Sequence, residues 1–200
     1  MTKTQAKMKS IDQLAMNMNP SETAFRLATP KDREQILSVH RDAFGEEGEI
    51  ISSLVAEMLD DPTAEPIHSF VAEHGDAIVA HVLFTAVRIE TREVSAQILA
   101  PLAVASEHQK CGLGTRLVNE ALTQLESQGV ALVFVLGYPD YYSRFGFVPA
   151  GAKGFDAPYP VLPKNADAWM VKELQTGAIE SNEGTIRCCT ALDQPQYWQE

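Results

Sequence analysis

The sequence predicts an α/β (α+β) domain built on one mixed, mostly antiparallel twisted sheet with flanking helices. Three observations carry that prediction. Two strand-like runs flank His74-Gly75-Asp76, a hairpin signature, and a third long run, Val94 to Val104, continues the meander. Ala131 to Leu136 is apolar throughout, without alternation, as in a central strand covered on both faces. Between them, a glycine-bearing turn opens a segment with helical periodicity, Gly112 to Gln128.

Each element has its own signal. Thr23 to Thr29 alternates as a first strand. Thr29-Pro30-Lys31-Asp32 is a helix start, after which Ile36, Leu37, Val39, His40, Ala43 and Phe44 recur at helical spacing. Gly45 and Gly48 break this helix, and Ile50, Ile51, Leu54, Val55 and Met58 mark one face of a second. Asp60 to Pro66 is a loop, and Ser69 to Glu73 and Ala77 to Ile89 are the hairpin strands. In the third helix Leu113, Leu117, Ala121, Leu122 and Leu125 form one stripe, which Gly129 terminates. Beyond Ala150 the chain is rich in Pro and Gly to Pro163, and short strands near Ala168 to Val171 and Thr185 to Ala191 close the sheet. There is no internal repeat. The expected organisation is a mobile polar tail over 1–22 and a single domain over 23–200, with core motifs in 23–150 and the closing strands in 151–200.

Two hundred residues make one ordinary domain with a real core. No apolar run approaches the ~20 residues of a membrane span, and Met1 to Pro20 lacks the apolar stretch of a secretory signal. Three cysteines without C-x-x-C argue against a disulfide framework or a zinc site and fit a reducing cytoplasm. Cys188 and Cys189 are expected on the last strand, facing opposite sides. A net charge of −11 argues against nucleic acid as partner and is compatible with a cationic amine. Locally the sign reverses, because His108, Lys110 and Arg116 surround the glycine turn.

That turn, Gln109-Lys110-Cys111-Gly112-Leu113-Gly114-Thr115, has the makings of an anion site. The first N–H groups of a helix lack intrahelical partners and point where the dipole favours negative charge. Gly112 and Gly114 lack a Cβ, so a phosphate can approach the backbone. A dinucleotide fingerprint fails, because Leu117 stands at the third glycine. A P-loop fails too, because Thr115-Arg116 follows Gly114 where Lys and Ser or Thr are needed. What remains is Q-x-x-G-x-G. On its own it fits a phosphate loop or a plain glycine turn at a helix start.

A second motif, Val133 to Phe147, reads as a buried strand, a break, a short helix bearing Tyr141 and Tyr142, and then Gly146-Phe147. Together the two segments resemble the GNAT superfamily of acetyl-CoA-dependent N-acetyltransferases, over Thr23 to Ala150. Q-x-x-G-x-G looks like its pyrophosphate loop, and Tyr142 falls where the family's Y-x-x-x-G-F places a tyrosine. Ala100-Pro101-Leu102-Ala103-Val104 and Tyr141-Tyr142-Ser143-Arg144-Phe145-Gly146-Phe147 look similar to a bacterial subgroup of predicted N-acetyltransferases. That subgroup usually carries aspartate at the place of Tyr138 and glycine at the place of Ala80, so both departures bear on substrate preference.

The resemblance implies a splay between the fourth and fifth strands, where the pantetheine of acetyl-CoA pairs with the backbone of Leu102, Ala103 and Val104 like an added strand. It implies that Gln109, Lys110, Cys111, Gly112, Leu113, Gly114 and Thr115 hold the pyrophosphate, mainly through main-chain N–H groups, and that Pro139 and Tyr142 border the cofactor. A backbone N–H at Val104 is the implied oxyanion donor, and Tyr142 the proton donor to the leaving thiolate. Arg144 is a candidate to lower that phenol. Read from residues alone, the tyrosines equally suit packing beside Phe145 and Phe147.

The amine base has the weakest signal. Candidates for the substrate side are Glu46, Glu47 and Glu49 in the turn between the first two helices, His81 in mid-strand, and Tyr141 as a pocket wall. A solvated turn and a satisfied core histidine explain the first two kinds equally well, and a water relay needs no base residue. The expected reaction is direct attack in a ternary complex, without metal or acyl-enzyme. The acceptor is an amine-bearing small molecule or peptide; neither nucleic acid nor membrane is a partner, and a homodimer through the closing strands is possible. Two other readings stay open: an acyl-CoA sensor without turnover, and a fold reused as an interaction module.

Overall fold

The computed structural model describes residues 23–90 and 92–198; the tail assigned to 1–22 lies outside them. The elements run β1 (Thr23–Leu27), α1 (Arg33–Phe44), α2 (Gly48–Asp60), β2 (His68–His74), β3 (Ala77–Ile89) and β4 (Arg92–Val104). Then come α3 (Leu113–Ser127), β5 (Leu132–Leu136), the one-turn α4 (Pro139–Tyr142), β6 (Val148–Pro149), β7 (Phe155–Asp156), β8 (Trp169–Glu173) and β9 (Gly184–Arg187). The sheet has the order β1-β2-β3-β4-β5-β8-β6, with β9 paired to the end of β3 and to β7. Along the main path only β4 and β5 are parallel. A parallel neighbour needs a crossover, and α3 supplies it.

Two cores lie on opposite faces of this sheet. One holds Ile36, Val55, Met58, Phe134, Trp169 and Trp198, under α1, α2 and the C-terminal stretch. The other holds Phe70, Phe84, Leu117, Leu125, Val133 and Phe147, under α3. Val133 and Phe134 are adjacent in β5 yet belong to different cores, which is the period-two alternation of a strand covered on both faces. This explains why Ala131 to Leu136 shows no polar residue.

The turn between α1 and α2 is set by close backbone approach. A Cβ on Gly48 would come within 2.2 Å of the Arg41 carbonyl oxygen, so only glycine lets α2 start there. Phe44, the last residue of α1, is thereby held above the middle of β4.

One expectation is corrected. The last strand ends at Arg187, so Cys188 and Cys189 follow it instead of lying on it. The chain turns there because the Cys189 carbonyl accepts from Leu192 N (3.1 Å) and Asp193 N (2.9 Å). A carbonyl used by a tight turn cannot continue a ladder.

The first strand is pinned to the first helix by one carboxylate. Asp32 takes Arg26 Nη1 at 2.8 Å and Nη2 at 2.9 Å, and also Thr29 N at 2.7 Å and Thr29 Oγ1 at 2.9 Å. Arg26 donates in turn to Glu73 of β2 at 2.7 Å. The Arg26 guanidinium, with the Thr29 donors, holds the Asp32 carboxyl well below the usual carboxylate range. A carboxyl depressed on folding adds stability above its unfolded pKa of ~3.9, and that stability is lost as pH falls through the folded value. Urea midpoints should therefore fall between about pH 4 and pH 2. Asp32→Asn should be weaker than wild type at pH 7 and show a flatter fall; parallel profiles for the two proteins would refute the assignment.

Candidate active site

The site begins where two parallel strands part. β4 and β5 pair at Ala96 with Leu132, Gln97 with Val133 and Ile98 with Phe134, and no further. Beyond Ile98, β4 carries Ala100-Pro101 opposite the single residue Leu83 of β3, a bulge that bends the strand. Pro101 also lacks an N–H for any ladder. From Leu99 to Val104 one edge of β4 has no strand partner among the described residues.

The direction of the free groups follows from the ladder. Ala105 N donates to Val79 O on β3 at 2.9 Å. Alternation then turns the Ala103 amide toward β3 and those of Leu102 and Val104 toward the open edge. The side chain of Gln109 confirms the direction for Val104, because its Nε2 donates to the Val104 carbonyl at 3.0 Å. The glutamine of Q-x-x-G-x-G thus ties the loop to the end of the strand.

The loop after β4 is braced and coiled. Asp42 of α1 accepts from Ser106 N at 2.5 Å and Ser106 Oγ at 3.0 Å. The Cys111 thiol donates to His108 O at 2.7 Å. Lys110 has φ 62° and Gly112 φ 83°, both left-handed. A left-handed lysine is uncommon, and held backbone of this kind gathers at ligand-binding loops. α3 starts directly after Gly112 with no side-chain cap among the described residues, and the first N–H groups of a helix lack intrahelical partners. The expected anion site thus falls on a left-handed coil at a helix start, the kind of backbone on which anions are held.

Two cavities adjoin this edge. The first, about 630 Å³, is lined by Leu102 to Val104, His108 to Lys110 and Gly112 through Thr115, while Cys111, expected in this set, lines neither cavity. The second, about 610 Å³, lies between α2, the strand ends of β4 and β5, α4 and the C-terminal residues Gln196 to Trp198. Phe44, Leu102 and Tyr141 line both. The first is cationic, with Lys110 and Arg144 in its lining. Arg116, expected beside the loop, instead stacks over Phe25 at 4.8 Å; its place on α3 turns it toward β1.

Tyr141 and Tyr142 occupy distinct environments. Tyr141 is half-buried at the cavity junction, with Arg144 at 4.6 Å over its ring. Burial pushes its phenol up, while a hydrogen bond with Thr115 and the Arg144 charge oppose this. Tyr142 is buried, edge-on to Tyr141 at 5.1 Å and to Phe147 at 5.7 Å, and lines the second cavity. Burial pushes its phenol far above the ordinary tyrosine value. Arg144 therefore faces Tyr141 and not Tyr142, correcting the expectation that it lowers the Tyr142 phenol. A Cβ on Gly137 would meet Tyr142 Cε2 at 2.4 Å, so the ring lies directly on that backbone.

The other candidates are dispersed. Glu47 lines the second cavity; Glu46 and Glu49 line neither, and Glu49 pairs with Arg41 at 3.3 Å. Pro139 opens α4 without lining either cavity. His81 is fully buried, bonded to His40 Nε2 at 2.7 Å and Ser69 Oγ at 2.8 Å, and lines neither cavity. Burial pushes His40 down to about 4, and it pushes His81 well down too, so the pair is neutral at pH 7. Tyr138, singled out in the sequence as a departure bearing on substrate preference, lines the second cavity, whereas sequence reading missed Phe44 and the C-terminal Tyr197 and Trp198 as lining residues. Phe44 carried a signal, as the last apolar residue before a glycine break. The C-terminal pair carried none.

The loop geometry is testable without ligand. A Cβ on Gly112 meets nothing within 4 Å, so Gly112→Ala changes only the cost of φ +83°. Stability should drop by about 1 kcal/mol, read from the urea midpoint at unchanged m-value. An unchanged midpoint would mean that the loop is not held in this conformation.

A family model described as an acetyltransferase (GNAT) domain matches residues 24–150. Among curated proteins, an uncharacterized N-acetyltransferase of Escherichia coli strain K12, YjhQ, is 39% identical over 167 residues, 82% of this chain and 91% of its own length. A second from the same strain, YhbS, is 31% identical over 109 residues, 54% of this chain and 64% of its own. Among solved structures, that of E. coli YhbS in complex with CoA superposes with a TM-score of 0.78 at 26% identity, covering 86% of this chain and 93% of the other. A GNAT acetyltransferase from Brucella melitensis in complex with acetyl-CoA superposes at 0.68 and 22% identity, covering 85% and 97%, and shows the same fold. A splayed parallel strand pair, an uncapped helix behind a left-handed loop, and a family match across most of the domain agree: this chain belongs to the GNAT acetyltransferase family.

Proposed function

We propose that this protein moves an acetyl group from acetyl-CoA to a primary amine by direct attack in a ternary complex. The observation that carries the reading is the meeting of two unlike cavities at Phe44, Leu102 and Tyr141. One is built to hold an anion and an extended amide chain; the other is apolar. Two substrates can thus meet without either leaving its own chamber.

Acetyl-CoA supplies the acetyl group already activated as a thioester. The pyrophosphate fits the N–H groups at the start of α3 and the coil from Lys110 to Gly112, with Lys110 adding charge. The pantetheine amides fit the open edge of β4, where Leu102 and Val104 turn their backbone groups outward; Gln109 already holds the Val104 carbonyl, leaving its N–H for the developing oxyanion. Burial favours the neutral phenol, so Tyr142 is protonated through the ordinary pH range and is a weak acid; it gives that proton only to the departing thiolate and regains one from the water that takes the amine's proton. The amine gives its own proton to water at the mouth of the second cavity. The three free cysteines, including exposed Cys111, suit a reducing cytoplasm.

Calorimetric titration with acetyl-CoA should show binding to wild type and none to Gly112→Glu, which puts a carboxylate into the cradle. Tyr142→Phe should bind acetyl-CoA as wild type does while kcat falls by about 10²-fold or more. No binding to wild type would sink the reading. Binding with no transfer to any amine would leave an acyl-CoA sensor.

A further inference from the structure

Resting on the acetyl-transfer reading, we propose that the acceptor is a small apolar monoamine, with one amine on an aromatic or branched aliphatic body, and that Glu47 captures it as the ammonium at the cavity mouth before water takes the proton and the neutral nitrogen attacks. The second cavity, about 610 Å³, has the size of a small-molecule site. Among its described lining residues Glu47 is the only charged side chain. The walls are mostly hydrocarbon and rings, Ile50, Ile51 and Leu54 from α2 with Tyr138, Tyr197 and Trp198, and the neutral polar groups are Gln196 and the tyrosine hydroxyls.

Two further observations point to an apolar guest. Ile50 is 60% exposed and Tyr138 82% exposed, and both stand on the lining of this cavity. Apolar surface exposed on the lining of one cavity is surface that an apolar guest can cover. Glu47 itself makes no ion pair among the described residues, whereas nearby Glu49 is engaged by Arg41. One unpaired carboxylate at the rim suits one ammonium. A second ammonium on the same guest would find no second carboxylate in the described lining, only the neutral oxygens of Gln196 and the tyrosines. A polyamine, an aminosugar or a lysine-rich peptide therefore fits this chamber poorly, although the acidic protein as a whole attracts all three.

The test uses 2-phenylethylamine and spermidine on the full protein, by calorimetry with CoA bound and by acetyl transfer from acetyl-CoA. 2-Phenylethylamine should bind about tenfold more tightly than spermidine. Glu47→Gln should weaken 2-phenylethylamine about tenfold and leave acetyl-CoA binding unchanged. Ile50→Asp, at an exposed position, should narrow the preference by adding a second carboxylate. Equal or tighter binding of spermidine to wild type, or binding of neither amine, would overturn the proposal. If 2-phenylethylamine binds as expected but neither amine is acetylated, the transfer reading fails while the binding preference of the second cavity stands. If spermidine is acetylated and 2-phenylethylamine is not, transfer stands and the acceptor class fails.

Discussion

Everything at the site depends on β4 serving two neighbours at its start and one at its end. Over Ala96 to Ile98 the strand is bonded on both edges. Past the Ala100-Pro101 bulge it keeps β3 and loses β5. The open edge exposes the N–H and C=O groups of a buried sheet, which require partners. A ligand with amides spaced like a peptide meets that requirement.

The surroundings hold the gap open. Tyr142 and Phe147 fill the wedge on one face, and the Gly137 backbone accepts the Tyr142 ring at a distance that no side chain permits. On the other face, Gly48 lets α2 start against the α1 carbonyls and so fixes Phe44 over the junction of the cavities. Asp42 braces the turn that leads into the anion loop. The buried His40–His81–Ser69 chain links α1 to β3 and β2 beneath this floor, and its two neutral rings stay out of both cavities.

Much of this was legible in the sequence because it is local. The uniform apolarity of Leu132 to Leu136, the stripe of α3 and the glycines of the anion loop each state a backbone requirement over a few residues. The side-chain geography was less legible because it joins distant segments. Arg116 and Arg144 both sit near the tyrosines and the loop, but the phase of α3 sends one to Phe25 and the turn of α4 brings the other over Tyr141. His81 looked out of place in an apolar strand, yet its partner lies 41 residues earlier on a helix. The stretch from Ala150 onward shows no period, so nothing in it marks Tyr197 and Trp198 as a wall of the second cavity. Trp198 is there because it is buried against Trp169 and anchored to the Leu192 carbonyl at 3.1 Å.

The division of labour between the chambers has an evolutionary side. The cofactor chamber is written almost wholly in backbone geometry, which few substitutions improve and many spoil. The other is written in the side chains of α2, α4 and the final turn, which carry no ladder or loop of the donor site. On the proposed assignment of the two cavities, descendants of one ancestor can exchange acceptors by drifting in Glu47 to Leu54 and Leu192 to Trp198 while the donor side stays fixed. A lineage built this way diversifies its clients faster than its chemistry.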